Sequence, residues 1–123
     1  MALVLVVDDE FFIRDLAVCL VEELGHAVVW AKDVVGAVMH LNQAASIEML
    51  ITDIRLDDAP LGGYALAHQA RELHPRLSVL YMSGQVLMSS AGALFVENAR
   101  FLQKPYTPDE LQDAVRSMLA AAA

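Results

Sequence analysis

The chain alternates short apolar runs, rich in β-branched residues, with longer segments in which apolar positions recur at helical spacing. The short runs predict five strands, at residues 3–7, 27–31, 47–52, 77–82 and 99–102. The longer segments predict helices at residues 11–24, from 34, from 62 or 63 to 74, and from 108. This alternation is typical of an α/β protein with a doubly wound parallel sheet, in which helices cover both faces.

Several predicted helix ends carry local sequence signals. Gly25 follows the first helix, where glycine accommodates the left-handed backbone of a helix end. Asp33 stands where a side-chain cap begins the second helix. Thr107 and Glu110 form a capping box around Pro108, which predicts a sharp start for the last helix.

The apolar positions of the first helix predict which of its sides is buried. That stripe comprises Ile13, Leu16, Ala17, Leu20 and Leu24. Cys19 lies within the same apolar pattern, so we expect a buried thiol without a disulfide partner. A fourth helix is expected within residues 85–98, where the apolar pattern has no clean period.

Composition narrows the class of protein. The 123 residues carry a formal net charge of −8 and are 57 % hydrophobic, which fits one well-cored domain over residues 1–123. The few basic residues are scattered, whereas nucleic acid or an anionic membrane needs a basic patch, so we expect neither as a direct partner. Because the chain has no apolar stretch of 18 residues or more, we expect a soluble, cytoplasmic protein.

Acidic and polar side chains follow the predicted strands at their carboxyl ends, the edge where open parallel sheets bind ligands. They are Asp8, Asp9 and Glu10 after the first strand, Asp53 after the third, Ser83 after the fourth and Lys104 after the fifth. Taken singly, each has an ordinary explanation as a helix cap or a turn residue. Carboxylates about 4 Å apart repel by roughly 4 kcal/mol at an effective dielectric near 20, so such a cluster needs positive charge to offset the repulsion. A hard divalent cation, Mg²⁺ or Mn²⁺, is the natural source of that charge.

These motifs resemble those of the receiver domains of two-component response regulators, and the similarity spans essentially the whole chain. The matching segments are Val6-Val7-Asp8-Asp9-Glu10, Ile51-Thr52-Asp53, Met82-Ser83-Gly84 and Phe101-Leu102-Gln103-Lys104-Pro105-Tyr106. The resemblance implies a flavodoxin-like (βα)5 fold with strand order 2-1-3-4-5. It also implies that Asp53 accepts a phosphoryl group from a phosphohistidine on a sensor kinase or a phosphotransfer protein.

The same resemblance implies roles for the residues around Asp53. Asp8, Asp9 and Asp53 would hold the metal with the backbone carbonyl of Arg55, while Lys104 and Ser83 would contact the phosphoryl group. Ser83 would also act in a switch with Phe101, although Phe101 is equally well explained as a core residue of the fifth strand. The peptide bond between Lys104 and Pro105 is cis in the family.

The expected output is a contact with a downstream protein through the fourth helix, the fifth strand and the fifth helix. We expect a monomer or a weak homodimer, and no enzymatic activity beyond the domain's own phosphorylation and dephosphorylation.

The loop after Asp53 departs from the family pattern. Pro60 stands seven positions after Asp53 rather than four, which indicates an insertion of about two residues and a changed rim around the metal site. Arg55 and Gln85 occupy positions that tune phosphorylation rates in the family. Arg55 would pair with Glu10 or the phosphoryl group, or would simply be solvated, and the sequence does not separate these alternatives.

Two other functions compete with a phosphoacceptor. A small aspartyl-phosphate phosphatase of the haloacid dehalogenase type also uses Asp, Ser/Thr and Lys, but its nucleophile opens an Asp-x-Asp motif that Asp8-Asp9-Glu10 lacks. A degenerate receiver that only binds proteins is disfavoured by the intact acidic residues, Ser83 and Lys104. The changed loop keeps it as an alternative.

Overall fold

The protein, described as a computed structural model over residues 1–56, 59–84 and 94–122, contains a single five-stranded sheet in those ranges. All its neighbouring strands are parallel, and their order is β2-β1-β3-β4-β5. The strands are β1 (Leu3–Val7), β2 (Ala27–Ala31), β3 (Met49–Asp53), β4 (Ser78–Ser83) and β5 (Arg100–Gln103). The predicted strand order is confirmed, and each strand lies within two residues of its predicted start.

Four helices lie within the described residues. They are α1 (Phe11–Glu23), α2 (Val34–Gln43), α3 (Gly62–Leu73) and α4 (Pro108–Ala122). The segment 85–93, which carries most of the expected fourth helix, lies outside the described residues. The final helix of the chain is therefore α4 here. None of the helices described here has both the length and the apolar character required to cross a membrane.

Successive side chains along each strand point to opposite faces of the sheet, so the apolar residues form two cores, one on each face. Leu5, Leu50 and Val79 belong to one core, which α2 and α3 cover. Val6, Ile51 and Leu80 belong to the other, which α1 and α4 cover. The doubly wound arrangement is confirmed, and the strand ends are left as the open edge between the layers.

The helix ends form as their local signals predict. Gly25 has a φ of 91°, the left-handed conformation expected of a glycine at this position. The Asp33 carboxylate accepts a hydrogen bond from the Gly36 N–H at 2.8 Å. Thr107 and Glu110 bond each other's backbone N–H groups reciprocally, at 2.9 and 3.1 Å, which completes the predicted capping box.

The predicted buried stripe of α1 is wrong in part. The buried residues are Arg14, Ala17, Leu20 and Val21, whereas Leu16 is 45 % exposed. Cys19, predicted to be buried, is exposed. The helix is rotated relative to the prediction because Arg14, a charged residue, occupies a position on the buried face.

Candidate functional site

The register of the sheet brings the acidic strand ends together. Val7 pairs with Thr52 across β1 and β3, so the next residues along, Asp8 and Asp53, lie side by side at the edge. Asp8 is fully buried and Asp53 is 8 % exposed. Two neighbouring carboxylates are thus withdrawn from bulk water, an arrangement that requires nearby positive charge.

Lys104 supplies that charge from the end of β5. Its Nζ donates to Asp8 Oδ2 at 2.7 Å and to Asp53 Oδ2 at 3.1 Å. Its backbone N–H donates to the carbonyl of Ser83 at 2.8 Å, which ties the lysine to the end of β4. The bond between Lys104 and Pro105 is cis, as the resemblance implied.

Asp9 completes a group of carboxylates with metal-ligand geometry. One oxygen from each of Asp8, Asp9 and Asp53 lies within 4.8 Å of the others. Asp8 is already engaged at both oxygens, since Oδ1 accepts from the Glu10 N–H at 2.9 Å and Oδ2 from Lys104. Asp9 is half-buried, and its carboxylate is the most open of the three.

Burial and neighbouring charges shift the pKa values of Asp53 and Lys104. Burial raises the pKa of Asp53 above its ordinary value of 3.8, and the Asp8 and Asp9 charges add to that rise, against the opposing effect of Lys104. For Lys104, burial lowers the pKa, but hydrogen bonds and charges from Asp8 and Asp53 outweigh it, and the net pKa is raised. The lysine is fully charged at neutral pH, and the site retains an excess of negative charge.

A crevice of about 280 Å³ opens over this group. Its lining comprises Asp9, Glu10, Asp53, Arg55, Ser83, Gly84 and Lys104. Arg55 is exposed, and among the described residues no ion pair joins it to Glu10. Arg55 lies at the rim of the crevice, and its pairing with the phosphoryl group stays a prediction.

The lengthened loop after Asp53 is held closed at its base. The Leu56 N–H donates to the Ala59 carbonyl at 3.1 Å, and the Ala59 N–H donates back at 2.9 Å. Leu56 and Ile54 are buried in the core. Residues 57 and 58 lie outside the described residues, so the expected insertion stays a prediction, while Arg55 at the start of the loop lines the crevice.

Gly63 allows α3 to pass close behind Asp53. A Cβ atom at this position would lie 2.7 Å from Ile54 Cα and closer still to the carbonyl oxygen of Asp53. The Gly63 N–H also donates to the Ile54 carbonyl at 2.9 Å. The sequence predicted a helix start at Gly62 or Gly63, but not that Gly63 packs against the backbone of Asp53.

Phe101 and Gln85 are the remaining residues with predicted switch or tuning roles. Phe101 is partly buried and packs against the core covered by α2 and α3, which agrees with its explanation as a strand residue. Its role in a switch stays a prediction. Gln85 lies outside the described residues, so its tuning role stays a prediction as well.

Arg14 is a site residue that the sequence analysis missed. It is 8 % exposed, and its guanidinium donates to the backbone carbonyl of Asp8 at 3.1 Å. The same guanidinium stacks over the Trp30 ring, 4.2 Å from its centroid. The sequence does contain a signal for this role. Arg14 precedes Ala17 and Val21 by three and seven positions, so it shares their side of the helix, and a charged residue on a buried side needs a polar partner.

With this geometry established, the chain can be compared with known proteins. The sequence matches the response regulator receiver domain over residues 4–116. The chain therefore belongs to the response regulator receiver domain family. Domains of this class act in two-component systems, between sensor kinases and downstream effectors, and bind Mg²⁺ at an acidic pocket.

Curated relatives are much longer than this chain. It is 30 % identical over 109 residues to the nitrogen assimilation regulatory protein NtrX of Azorhizobium caulinodans, covering 88 % of this chain and 24 % of NtrX. It is 27 % identical to the uncharacterized transcriptional regulatory protein YbdJ of Bacillus subtilis, covering 94 % of this chain and 50 % of YbdJ. The chain thus spans half or less of the relatives it matches.

Solved structures share the fold across nearly the whole chain. NtrX from Brucella abortus has a TM-score of 0.87 at 32 % identity, covering 99 % of this chain and 28 % of NtrX. A receiver protein from Sinorhizobium medicae has a TM-score of 0.87 at 29 % identity, covering 99 % of this chain and 97 % of that one. A response regulator from Clostridium difficile, at 17 % identity, shares the fold with a TM-score of 0.84 and 98 % and 97 % coverage.

Proposed function

We propose that this chain is a Mg²⁺-dependent phosphoacceptor, in which Asp53 receives a phosphoryl group from a phosphohistidine of a sensor kinase or a phosphotransfer protein. The observation that carries the proposal is the contact of one ammonium, Lys104 Nζ, with the carboxylates of both Asp8 and Asp53. Phosphoryl transfer needs chiefly positioning and charge neutralisation, and this arrangement is suited to both.

The donor chemistry of the site fits a hard divalent cation. One ammonium leaves three clustered carboxylates under-neutralised, and carboxylate oxygens are the ligands that Mg²⁺ and Mn²⁺ prefer. Asp9, Asp53 and the backbone carbonyl of Arg55 would hold the ion, with Asp8 acting directly or through water. A bound ion would supply charge neutralisation to the oxygens of the incoming phosphoryl group.

The chain's own residues would then perform the transfer. One oxygen of Asp53 forms a bond to phosphorus as the phosphorus–nitrogen bond of the phosphohistidine breaks, and the leaving imidazole keeps the electron pair and takes a proton. Lys104 pairs with the transferred group, and the Ser83 hydroxyl donates to one of its oxygens. In this reaction Asp53 is itself the acceptor of the phosphoryl group, so the domain would act as a phosphoacceptor and not as a conventional enzyme.

We also propose that residues 1–123 form a single receiver domain that works in the cytoplasm as a monomer or a weak homodimer. Phosphorylation of Asp53 would draw Ser83 and Phe101 inward and change the surface formed by the expected fourth helix, β5 and α4. That surface would contact a downstream protein. The similarity to longer regulatory proteins supports such a partner.

The test is incubation with Mg²⁺ and acetyl phosphate, followed by intact-mass measurement. The proposal expects a labile gain of one phosphoryl group that is lost in Asp53→Asn and kept in Asp15→Asn, a control with the same chemical change at an exposed site on α1. Beryllofluoride should produce a Mg²⁺-dependent change in tryptophan fluorescence. No response to either reagent would indicate a degenerate receiver, and multiple turnover of a phosphate ester would indicate a phosphatase.

A further inference from the structure

A second cavity lies at the opposite end of the sheet from Asp53. It has a volume of about 610 Å³, within the range of small-molecule sites. Leu77 and Ser78 line it where β4 begins, and Arg100 lines it where β5 begins. A ligand there would approach the amino ends of the strands and would not compete for the acidic crevice.

Three arginines line this cavity, Arg71, Arg76 and Arg100. The whole chain has eight Lys and Arg residues against 16 Asp and Glu, and three of those eight line this one cavity. The remaining lining residues are Pro75, Leu77, Ser78, Asn98, Ser117, Met118 and Ala121, none of them acidic. An acidic chain thus carries a concentrated positive site at this end.

The three guanidiniums are left without carboxylate partners. In the parts of the chain that the structure describes, the ion pairs are those of Lys104 with Asp8 and Asp53 and that of Arg116 with Asp113. None of the acidic side chains in the described ranges forms an ion pair with these arginines. Like charges held in one cavity repel, so the arrangement favours an anion from outside the chain.

Two of the guanidiniums are oriented by neutral groups. Arg71 NH1 donates to the Glu97 carbonyl at 2.9 Å, and Arg100 NH1 donates to the Ser117 hydroxyl at 3.1 Å. Neither contact neutralises the charge. The Nε of Arg71 is buried and has no hydrogen-bond partner among the described residues. Planar guanidiniums fixed in this way present paired donors to phosphate or carboxylate oxygens.

We propose that this cavity binds a small organic polyanion whose phosphate or carboxylate groups contact Arg71, Arg76 and Arg100. Leu77 and Met118 offer an apolar surface for the uncharged part of such a ligand. The inference is independent of the phosphoacceptor proposal, because it concerns another end of the sheet and requires neither Mg²⁺ nor a phosphodonor.

The test is isothermal titration of the chain with pyrophosphate and, separately, with citrate. Divalent metal ions are removed from the buffer with a chelating resin. Soluble chelators are avoided, because they are themselves polyanions that would compete for the cavity. We expect saturable binding at one site per chain. Tighter binding of pyrophosphate would define a phosphate ligand, and tighter binding of citrate a carboxylate ligand, and either result supports the site.

The decisive variant is Arg76→Gln with Arg100→Gln, since both side chains are exposed and their loss leaves the core intact. A matched control, Lys32→Gln with Arg116→Gln, removes the same charge at exposed positions outside the cavity. We expect at least tenfold weaker binding in the first variant and less than twofold change in the control. Equal weakening in both would assign the binding to general charge and overturn the proposal.

A measurement on the unaltered chain gives an independent answer. Amide chemical shifts during the same titration should change at Ser78, Asn98 and Arg100 and stay constant at Asp9 and Gly84. Absence of saturable binding by both anions would overturn the proposal. So would shift changes centred on the acidic crevice.

Discussion

Lys104 is the residue on which the acidic site depends most directly. Its side chain and that of Asp53 are each 11 % exposed, and that of Asp8 is fully buried, so both ion pairs are shielded from water. Removing one partner of a buried pair leaves an uncompensated charge, which costs far more than losing a surface pair. The stability of the fold and the proposed phosphoryl transfer therefore depend on the same ammonium.

Replacing this ammonium tests that dependence. Lys104→Met should lower the free energy of unfolding by about 3 kcal/mol in metal-free buffer at neutral pH, because Asp8 and Asp53 lose their shared cation. Urea denaturation measures the change. Lys32→Met, at an exposed lysine without an ion pair among the described residues, should alter stability by less than about 0.5 kcal/mol. Equal losses in the two variants would contradict the buried-pair interpretation.

The raised pKa of Asp53 has a consequence for stability against pH. The folded chain holds the Asp53 proton more tightly than the unfolded chain does, because burial and neighbouring carboxylates disfavour the charged form. The contribution of Asp53 to the free energy of unfolding is therefore most favourable below its ordinary pKa of 3.8. That contribution falls as the pH rises through the pKa of the folded state, and it stays unfavourable at neutral pH.

Asp53→Asn should accordingly be more stable than the unaltered chain at pH 7 in metal-free buffer, by on the order of 1 kcal/mol. The gain should shrink as the pH is lowered toward 3.8. Urea midpoints measured between pH 4 and 8 check both points. Asp15→Asn, at an exposed carboxylate, should produce no such pH-dependent gain, and a gain for Asp53→Asn that did not vary with pH would contradict the assignment.

Among the elements, those with local signals were the most predictable. The helix ends at Gly25, Asp33 and Thr107 form as predicted, because a cap or a terminal glycine depends on a few adjacent residues. The buried side of α1 was not predicted correctly. Its rotation is set by the contacts of Arg14 with Asp8 and Trp30, which lie on other elements.

The approach of α3 to β3 likewise depends on a contact between elements. Gly63→Ala should destabilise the fold by about 2 kcal/mol, because the added Cβ overlaps the Asp53 carbonyl and packed backbone cannot yield cheaply. It should also slow the proposed phosphorylation by acetyl phosphate, since the backbone of Asp53 must shift. Thermal unfolding and intact-mass time courses measure the two effects.

Gly84→Ala is the matched control for this variant. Among the described residues, an added Cβ there has no neighbour within 4 Å, although Gly84 also borders the crevice. It should leave thermal stability nearly unchanged. If both alanines destabilised the chain equally, close packing behind Asp53 would not be the cause.

At the scale of the whole molecule, the parallel sheet separates charge between its two ends. The carboxyl ends of the strands hold Asp8, Asp9 and Asp53, and the amino ends lie near the cavity lined by Arg71, Arg76 and Arg100. The acidic end was predictable, because its residues directly follow recognisable strands. The basic end was not, since its arginines belong to separate elements and form no sequence motif.

The acidic end should be stabilised by a divalent cation. A ligand at about ten times its dissociation constant adds roughly 1.4 kcal/mol of stability, which corresponds to a rise of about 3 to 6 °C in Tm. We expect millimolar Mg²⁺ to raise Tm by this amount. Asp9→Asn should abolish most of the rise, because Asp9 is the most open carboxylate of the group.

Glu10→Gln provides the control for that experiment. It removes one negative charge from the same crevice, but Glu10 is outside the group of three carboxylates. The Mg²⁺-dependent rise in Tm should persist in this variant. Loss of the rise in both variants would indicate a diffuse electrostatic effect instead of a defined ion site.

The exposure of Cys19 makes the native chain convenient for optical work. The chain contains one cysteine, exposed on α1, and one tryptophan, half-exposed on β2 and in contact with α1 through Arg14. A thiol-reactive dye would therefore attach at a single place, and the chain supplies a single tryptophan as the donor for energy transfer. Changes in the transfer efficiency would report movement of α1 against the sheet without any engineered substitution.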